Sequence, residues 1–163
     1  IKEITEENAH LVSNLHSNLG GLYRMNGYPA LAREHMEKGL FLLEQYNLLY
    51  TNDSIPQITN YAMLLTEQQS PEKGISVLQK VSKIIKEYNS DCNLDYATVQ
   101  ETLGIIYLMT ANLPQAKTHF KRAFKIYEKI WADEPEMIEK KCQEIQELYP
   151  QVGFFLGQQI SNF

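Results

Sequence analysis

Apolar residues along this chain recur in steps of three and four, and the blocks that carry them repeat. Leu19-Gly20 returns as Tyr61-Ala62 and as Leu103-Gly104, Tyr23 as Leu65 and Tyr107, Ala32 as Gly74 and Ala116, and Met36 as Leu78 and Phe120. Leu42 returns as Ile84 and Ile126, and Tyr46 as Tyr88 and Ile130; one offset of 42 residues serves all of them without a gap. A fixed period of this size marks stacked structural units. Each unit predicts two helices. In the third, Asp95 is the expected cap of a helix through Ala97, Leu103, Ile106 and Tyr107, Thr110-Ala111-Asn112 breaks it, and Pro114 opens a second helix through Ala116, Phe120, Ala123, Phe124 and Tyr127. Asn26-Gly27 with Pro29, and Gln69-Ser70 with Pro71, do the same in the first two units. No run alternates as a strand would.

Small residues explain why the helices of a pair should sit close. A glycine inside a helix costs about 1 kcal/mol relative to alanine. Gly20, Ala62 and Gly104 nevertheless hold one place on the first helices, and Ala32, Gly74 and Ala116 one place on the second. Facing each other, they let the axes approach while Tyr23, Leu65, Tyr107, Met36, Leu78 and Phe120 fill the space beside them. The second helices are expected to run on through Leu42 to Tyr50 and through Ile84 to Asn89. Met137, Ile138, Ile145 and Leu148 then recur at helical spacing among charges, as a capping helix would. The cluster Asp133-Glu134-Pro135-Glu136 suits that helix's N-terminus. The apolar stretch Val152 to Leu156 either folds back on the cap or docks on another chain, which makes self-association through the C-terminal tail a possible partner mode.

Composition narrows the function classes. Fifteen Lys and Arg against 20 Asp and Glu give a net charge of −5, which argues against nucleic-acid binding by the surface as a whole. No stretch reaches the roughly 18 apolar residues of a membrane span. Two cysteines, Cys92 and Cys142, make no disulfide framework, so free thiols and a cytoplasmic setting are expected. The histidines at 10, 16, 35 and 119 show no metal-ligand spacing, and His119 reads as a surface residue. There is no Cys-x-x-Cys, no His-Glu-x-x-His, no phosphate loop and no nucleophile elbow. The expectation is therefore no enzyme, no cofactor and no metal. Lys117, Lys121, Arg122, Lys125 and Lys129 fall opposite Phe120 and Phe124, as a solvated outer face does.

Leu19-Gly20, Tyr23, Ala32 and Met36, and again Leu103-Gly104, Tyr107, Ala116 and Phe120, resemble the tetratricopeptide repeat, in a 42-residue variant similar to that of kinesin light chain. Ala62, Leu65, Gly74 and Leu78 match it more loosely. The resemblance implies an all-α, right-handed solenoid of three antiparallel helix pairs. It would be one domain over 1–163, with repeats at about 13–54, 55–96 and 97–138 and a C-terminal cap at 139–163. It further implies a concave groove, lined by the first helix of each repeat, that binds a protein or peptide. The corresponding residues are Asn14, Asn18, Arg24, Met25, Asn60, Met63, Glu67, Glu101, Ile105 and Met109. Asn18 and Asn60 recur at one offset; they either pair with a peptide backbone or bond neighbouring helices. Family members that grip chaperone tails need cations where this chain has Ser17, Thr98 and Thr102 and an Asn where it has Gly21, with only Asn60 retained, so that ligand is not expected. Two alternatives stay open: the peptide-sensing C-terminal domain of a bacterial transcriptional regulator, and an accessory repeat domain of a larger enzyme.

Overall fold

The computed structural model describes residues 4–88 and 93–150. Among these described residues are seven helices: α1 (Glu6–Met25), α2 (Pro29–Gln45), α3 (Ile55–Glu67), α4 (Pro71–Tyr88), α5 (Leu94–Met109), α6 (Leu113–Ile130) and α7 (Pro135–Leu148), with a 3₁₀ turn at Asn52–Ser54 before α3. No strand occurs among the described residues. No described helix is long and apolar enough to cross a membrane.

The repeat is visible in the turns between paired helices. Gly27, Gln69 and Ala111, each 42 residues from the last, all take left-handed backbone, with φ of 78°, 59° and 58°. The next amide in each case reaches back over that residue: Tyr28 N to Tyr23 O at 2.9 Å, Ser70 N to Leu65 O at 2.9 Å and Asn112 N to Tyr107 O at 2.8 Å. This six-to-one bond ends a helix by satisfying a carbonyl that would otherwise have no partner. A proline then opens or nearly opens α2, α4 and α6, where its missing N–H costs nothing.

The chain divides into two compact units, residues 1–84 and 85–163. In the first, α1 packs along α2, and both touch α3. Its closest approaches fall at the small residues. A Cβ on Gly20 would lie 2.6 Å from Met36 Cγ and 3.1 Å from the Ala32 carbonyl oxygen, and one on Gly74 would lie 2.6 Å from the Ala62 carbonyl oxygen. Ala32, Met36 and Leu64 form a buried cluster with Tyr23 and Tyr61 against it. Polar groups add to this core. Ser13 Oγ sits 2.9 Å from the Gly39 carbonyl and 2.6 Å from Gln57 Oε1, so one buried hydroxyl joins α1, α2 and α3.

In the second unit α5 packs along α6, and α7 rests on α6. A Cβ on Gly104 would lie 3.1 Å from the Phe120 ring, the counterpart, two repeats on, of the approach of Gly20 to Met36. Phe124, Tyr127, Leu103 and Ile106 are among the largest side chains fully buried. α7 buries Cys142 and Ile145. Leu148, expected on its apolar face, is exposed, because the covered stripe runs through Cys142 instead.

Two boundaries differ from expectation. Asn93, not Asp95, caps α5, its side chain accepting from Tyr96 N at 2.7 Å, and Asp95 lies in the first turn. α2 stops at Gln45 and does not reach Tyr50, since Asn47 takes a left-handed φ of 57°. Asparagine adopts that backbone more readily than other residues with a Cβ. The apolar tail from Val152 and the thiol of Cys92 lie outside the described residues.

Candidate functional site

The expected groove residues sort by exposure. Asn14, Asn18 and Met25 on α1, Asn60 and Glu67 on α3, and Met109 on α5 are exposed, and Arg24 is half-buried. Met63, Glu101 and Ile105 are buried.

In the first unit α1 and α3 bring several of them together. The Arg24 guanidinium grips Glu67 with two parallel bonds, Nε to Oε2 at 2.8 Å and the terminal nitrogen to Oε1 at 2.6 Å. This forked geometry fixes both side chains more firmly than a single contact would. The pair borders a hollow of about 540 Å³ with Gly27, Pro29 and Leu64. Asn14 Oδ1 accepts from Gln57 Nε2 at 2.8 Å, which holds the amide against α3. Asn18 and Asn60 are different. Both are exposed, and among the described residues no hydrogen bond ties either amide to the chain.

In the second unit Glu101 is engaged internally. Its Oε2 accepts from the Tyr127 hydroxyl at 2.6 Å, and its Oε1 lies 3.1 Å from Lys141 Nζ on α7. Burial, and then the facing Glu101 carboxylate, push the Tyr127 hydroxyl far above its ordinary pKa.

A second hollow in the first unit, about 290 Å³, lies among α2, α3 and α4 and holds none of the expected residues. Leu40, Phe41, Tyr50, Tyr61, Val77 and Lys80 line it. Lys80 Nζ stands 5.7 Å from the centre of the Tyr50 ring. The Tyr61 hydroxyl donates to Glu37 at 2.7 Å; burial first and this bond second raise its pKa to about 12. Burial pushes the Glu37 carboxyl up, but the bonds from Arg33 and Tyr61 outweigh it and hold the group below its usual range.

Histidine placement departs from the sequence reading. His119 is buried, not on the surface: it contacts Gln100 Oε1 through Nδ1 at 2.8 Å and stacks on Tyr107. His119 stands three residues after Ala116 and four before Ala123, both buried, so it lies on the stripe of α6 that the facing helix covers. His16 on α1 and His35 on α2 meet with Nδ1 atoms 2.9 Å apart, and Tyr23 stacks on His35. Burial, and then His35 and Lys38, lower the His16 pKa. This contact had a signal in the sequence: the two residues are nearly equidistant from the Asn26-Gly27 turn, as Gly20 and Ala32 are. Among the described residues no group of three His, Cys, Asp or Glu is placed to hold a metal ion. Cys142 is free and buried, and burial first, with Glu139, Glu101 and Glu128 after it, raises its thiol pKa to about 11. The five cations of α6 are exposed, as expected.

Residues 54–129 match the family model of the tetratricopeptide repeat. No curated protein matches the chain. Among solved structures, BtubC (BKLC) from P. vanneervenii is similar with a TM-score of 0.73 and 18% sequence identity, over 96% of this chain and 61% of that one. The chain thus spans less than two thirds of that structure's length. The likeness shows the fold, an all-α helical repeat.

Proposed function

We propose that this chain is a non-catalytic peptide-binding module, because residues 54–129 match the tetratricopeptide repeat, a fold that typically mediates protein–protein interaction. Asn18 and Asn60 carry this reading. They occupy one place on successive first helices, face solvent and keep both amide donor and acceptor uncommitted. An asparagine amide can accept from a backbone N–H and donate to a backbone C=O, so a pair of them holds an extended main chain with little regard to its sequence. Arg24 and Glu67, clamped to each other, flank the site as a fixed wall.

We treat residues 1–163 as one array of repeats at about 13–54, 55–96 and 97–138 closed by 139–163. We place the protein in the cytoplasm, for which the free thiol of Cys142 is the support. The test is a peptide-array screen of wild type against Asn18→Ala/Asn60→Ala. The double variant should keep its helical content and melting temperature but capture peptides at least about tenfold more weakly, the loss of roughly 1.4 kcal/mol. Equal capture by both proteins would remove the asparagines from the ligand site.

A further inference from the structure

α6 carries a row of cations without counter-charges. Lys117, Lys121, Lys125 and Lys129 stand four residues apart, Arg122 lies beside them, and all five are exposed. Among the described residues none of them makes an ion pair. The residues outside that description, 1–3, 89–92 and 151–163, contain two acidic side chains, Glu3 and Asp91, too few to neutralise the row. The one carboxylate of α6, Glu128, is half-buried and lies near the Cys142 thiol of α7. The row also works against its own helix, since like charges four residues apart repel and opposite charges attract. Two repeats earlier α2 satisfies that rule: Arg33 pairs with Glu37 at 2.8 Å and Lys38 with Glu34 at 2.6 Å. Lys117 and Lys121 occupy the places of Arg33 and Glu37, so the third repeat sets a lysine where the first has the neutralising glutamate.

We propose that this face of α6 is a docking surface for a short acidic segment of a partner protein, with carboxylates about 6 Å apart. The charge of the row selects the sign of the partner, and the surroundings select its kind. Lys117 to Lys129 spans about 18 Å along the helix, at about 6 Å per step. Carboxylates four residues apart on a helix repeat at that interval, and those on one face of an extended strand at about 6.8 Å. The row is also bounded. Asp133, Glu134 and Glu136, all exposed, crowd the turn from α6 into α7 at its end. A long polyanion such as nucleic acid, or the plane of an anionic membrane, would meet these carboxylates, whereas a short peptide stays within the row. Between 117 and 129 the only other exposed residue is Thr118. The face thus offers no aromatic ring for stacking on bases and no apolar side chain for insertion among lipids.

The surface lies on a second helix, not on the first helices that carry Asn18 and Asn60, and the inference does not rest on the peptide-binding reading. The probe is a fluorescein-labelled alanine peptide with glutamate at every fourth position, titrated with the full chain and followed by anisotropy. At about 0.1 M salt, where charges are screened beyond about 10 Å, it should bind with a Kd of about 100 µM or tighter. Its glutamine counterpart should bind at least about tenfold more weakly. Lys121→Glu/Lys125→Glu should cost at least about tenfold in binding and keep its helical content, since Lys117 and Lys129 then gain partners of opposite charge. Lys73→Glu/Lys86→Glu, the same change of net charge on α4, should leave binding as it is, and so should Asn18→Ala/Asn60→Ala. A DNA duplex and phosphatidylserine vesicles, at equal concentration of anionic groups, should bind at least about tenfold more weakly than the glutamate peptide. Absence of saturable binding overturns the proposal, as does binding that survives the Lys121/Lys125 change or that the glutamine peptide matches. An equal loss in the Lys73/Lys86 variant would reduce the effect to net charge, and a loss in the Asn18/Asn60 variant would move the peptide to the groove; either overturns it. A duplex or vesicle held as tightly as the peptide overturns it in favour of a phosphate ligand.

Discussion

His119 follows Lys117 and Thr118 and precedes Phe120, a neighbourhood half charged and half apolar, and its burial is decided by the helix opposite. Tyr107 covers one ring face, and Gln100 supplies an acceptor for Nδ1. Neutral imidazole with the proton on Nδ1 fits that acceptor. Burial, and then the nearby Arg122 charge, lower the His119 pKa from 6.5 to about 4. A histidine whose folded pKa lies below its unfolded value takes up a proton more readily when unfolded. Its contribution to stability is present above pH 6.5 and is lost as pH falls from 6.5 towards 4. His16 shifts in the same direction and adds to the slope. Urea midpoints should therefore drop between pH 7 and pH 5, before most carboxylates protonate. In His119→Asn, whose amide can still donate to Gln100, the drop should shrink to the share left by His16. An unchanged slope in that variant would assign the pH dependence to other groups.

At the scale of the helix, two glycines, one facing open space and one facing backbone, test whether close approach or backbone freedom matters. Gly21 has nothing within 4 Å of where its Cβ would go, whereas the Cβ of Gly74 would meet the Ala62 backbone oxygen at 2.6 Å. Both sit inside helices, where alanine is favoured by about 1 kcal/mol. Gly21→Ala should therefore stabilise by about that amount. Gly74→Ala should destabilise by about 1–3 kcal/mol, since backbone cannot swing aside as a side chain can. Chemical denaturation of the two variants gives the sign directly, and like signs would mean that α3 and α4 are not held close. The small-residue contacts were legible in the sequence because a period of 42 aligns three independent instances of each. The helix ends were less so. Asn93 and Asp95 are both fit caps by residue type, and only the extended backbone at Asn93 itself, φ −132° and ψ 158°, selects the first. Nothing in the spacing of Leu42 to Tyr50 announces the left-handed Asn47 that stops α2.

Over the chain as a whole, periodicity reveals which faces are apolar, but not which polar groups the packing takes inside. Glu101 shows the difference. Its spacing puts it on the first-helix face that a ligand would meet, as it does Asn18 and Asn60. In the second unit, however, its carboxylate joins three helices: its own α5, Tyr127 of α6 and Lys141 of α7. Lys141 Nζ also stands 6.0 Å from the centre of the Tyr127 ring, so the ammonium, the phenol and the carboxylate form one cluster. Removing one member of a buried charged set leaves the rest without compensation, at a cost of about 3 kcal/mol or more. Glu101→Ala should thus lower stability by about 3 kcal/mol. Glu101→Gln, which keeps an oxygen for Tyr127 and loses only the charge facing Lys141, should cost about 1–2 kcal/mol. Because Lys141 is the α7 member of the cluster, both variants should also expose α7 to proteolysis earlier than the rest of the second unit. A ligand-contacting glutamate would behave oppositely: its substitution would leave the denaturation midpoint and the cleavage pattern unchanged while peptide capture fell. The two measurements together decide whether this carboxylate holds the fold or the partner.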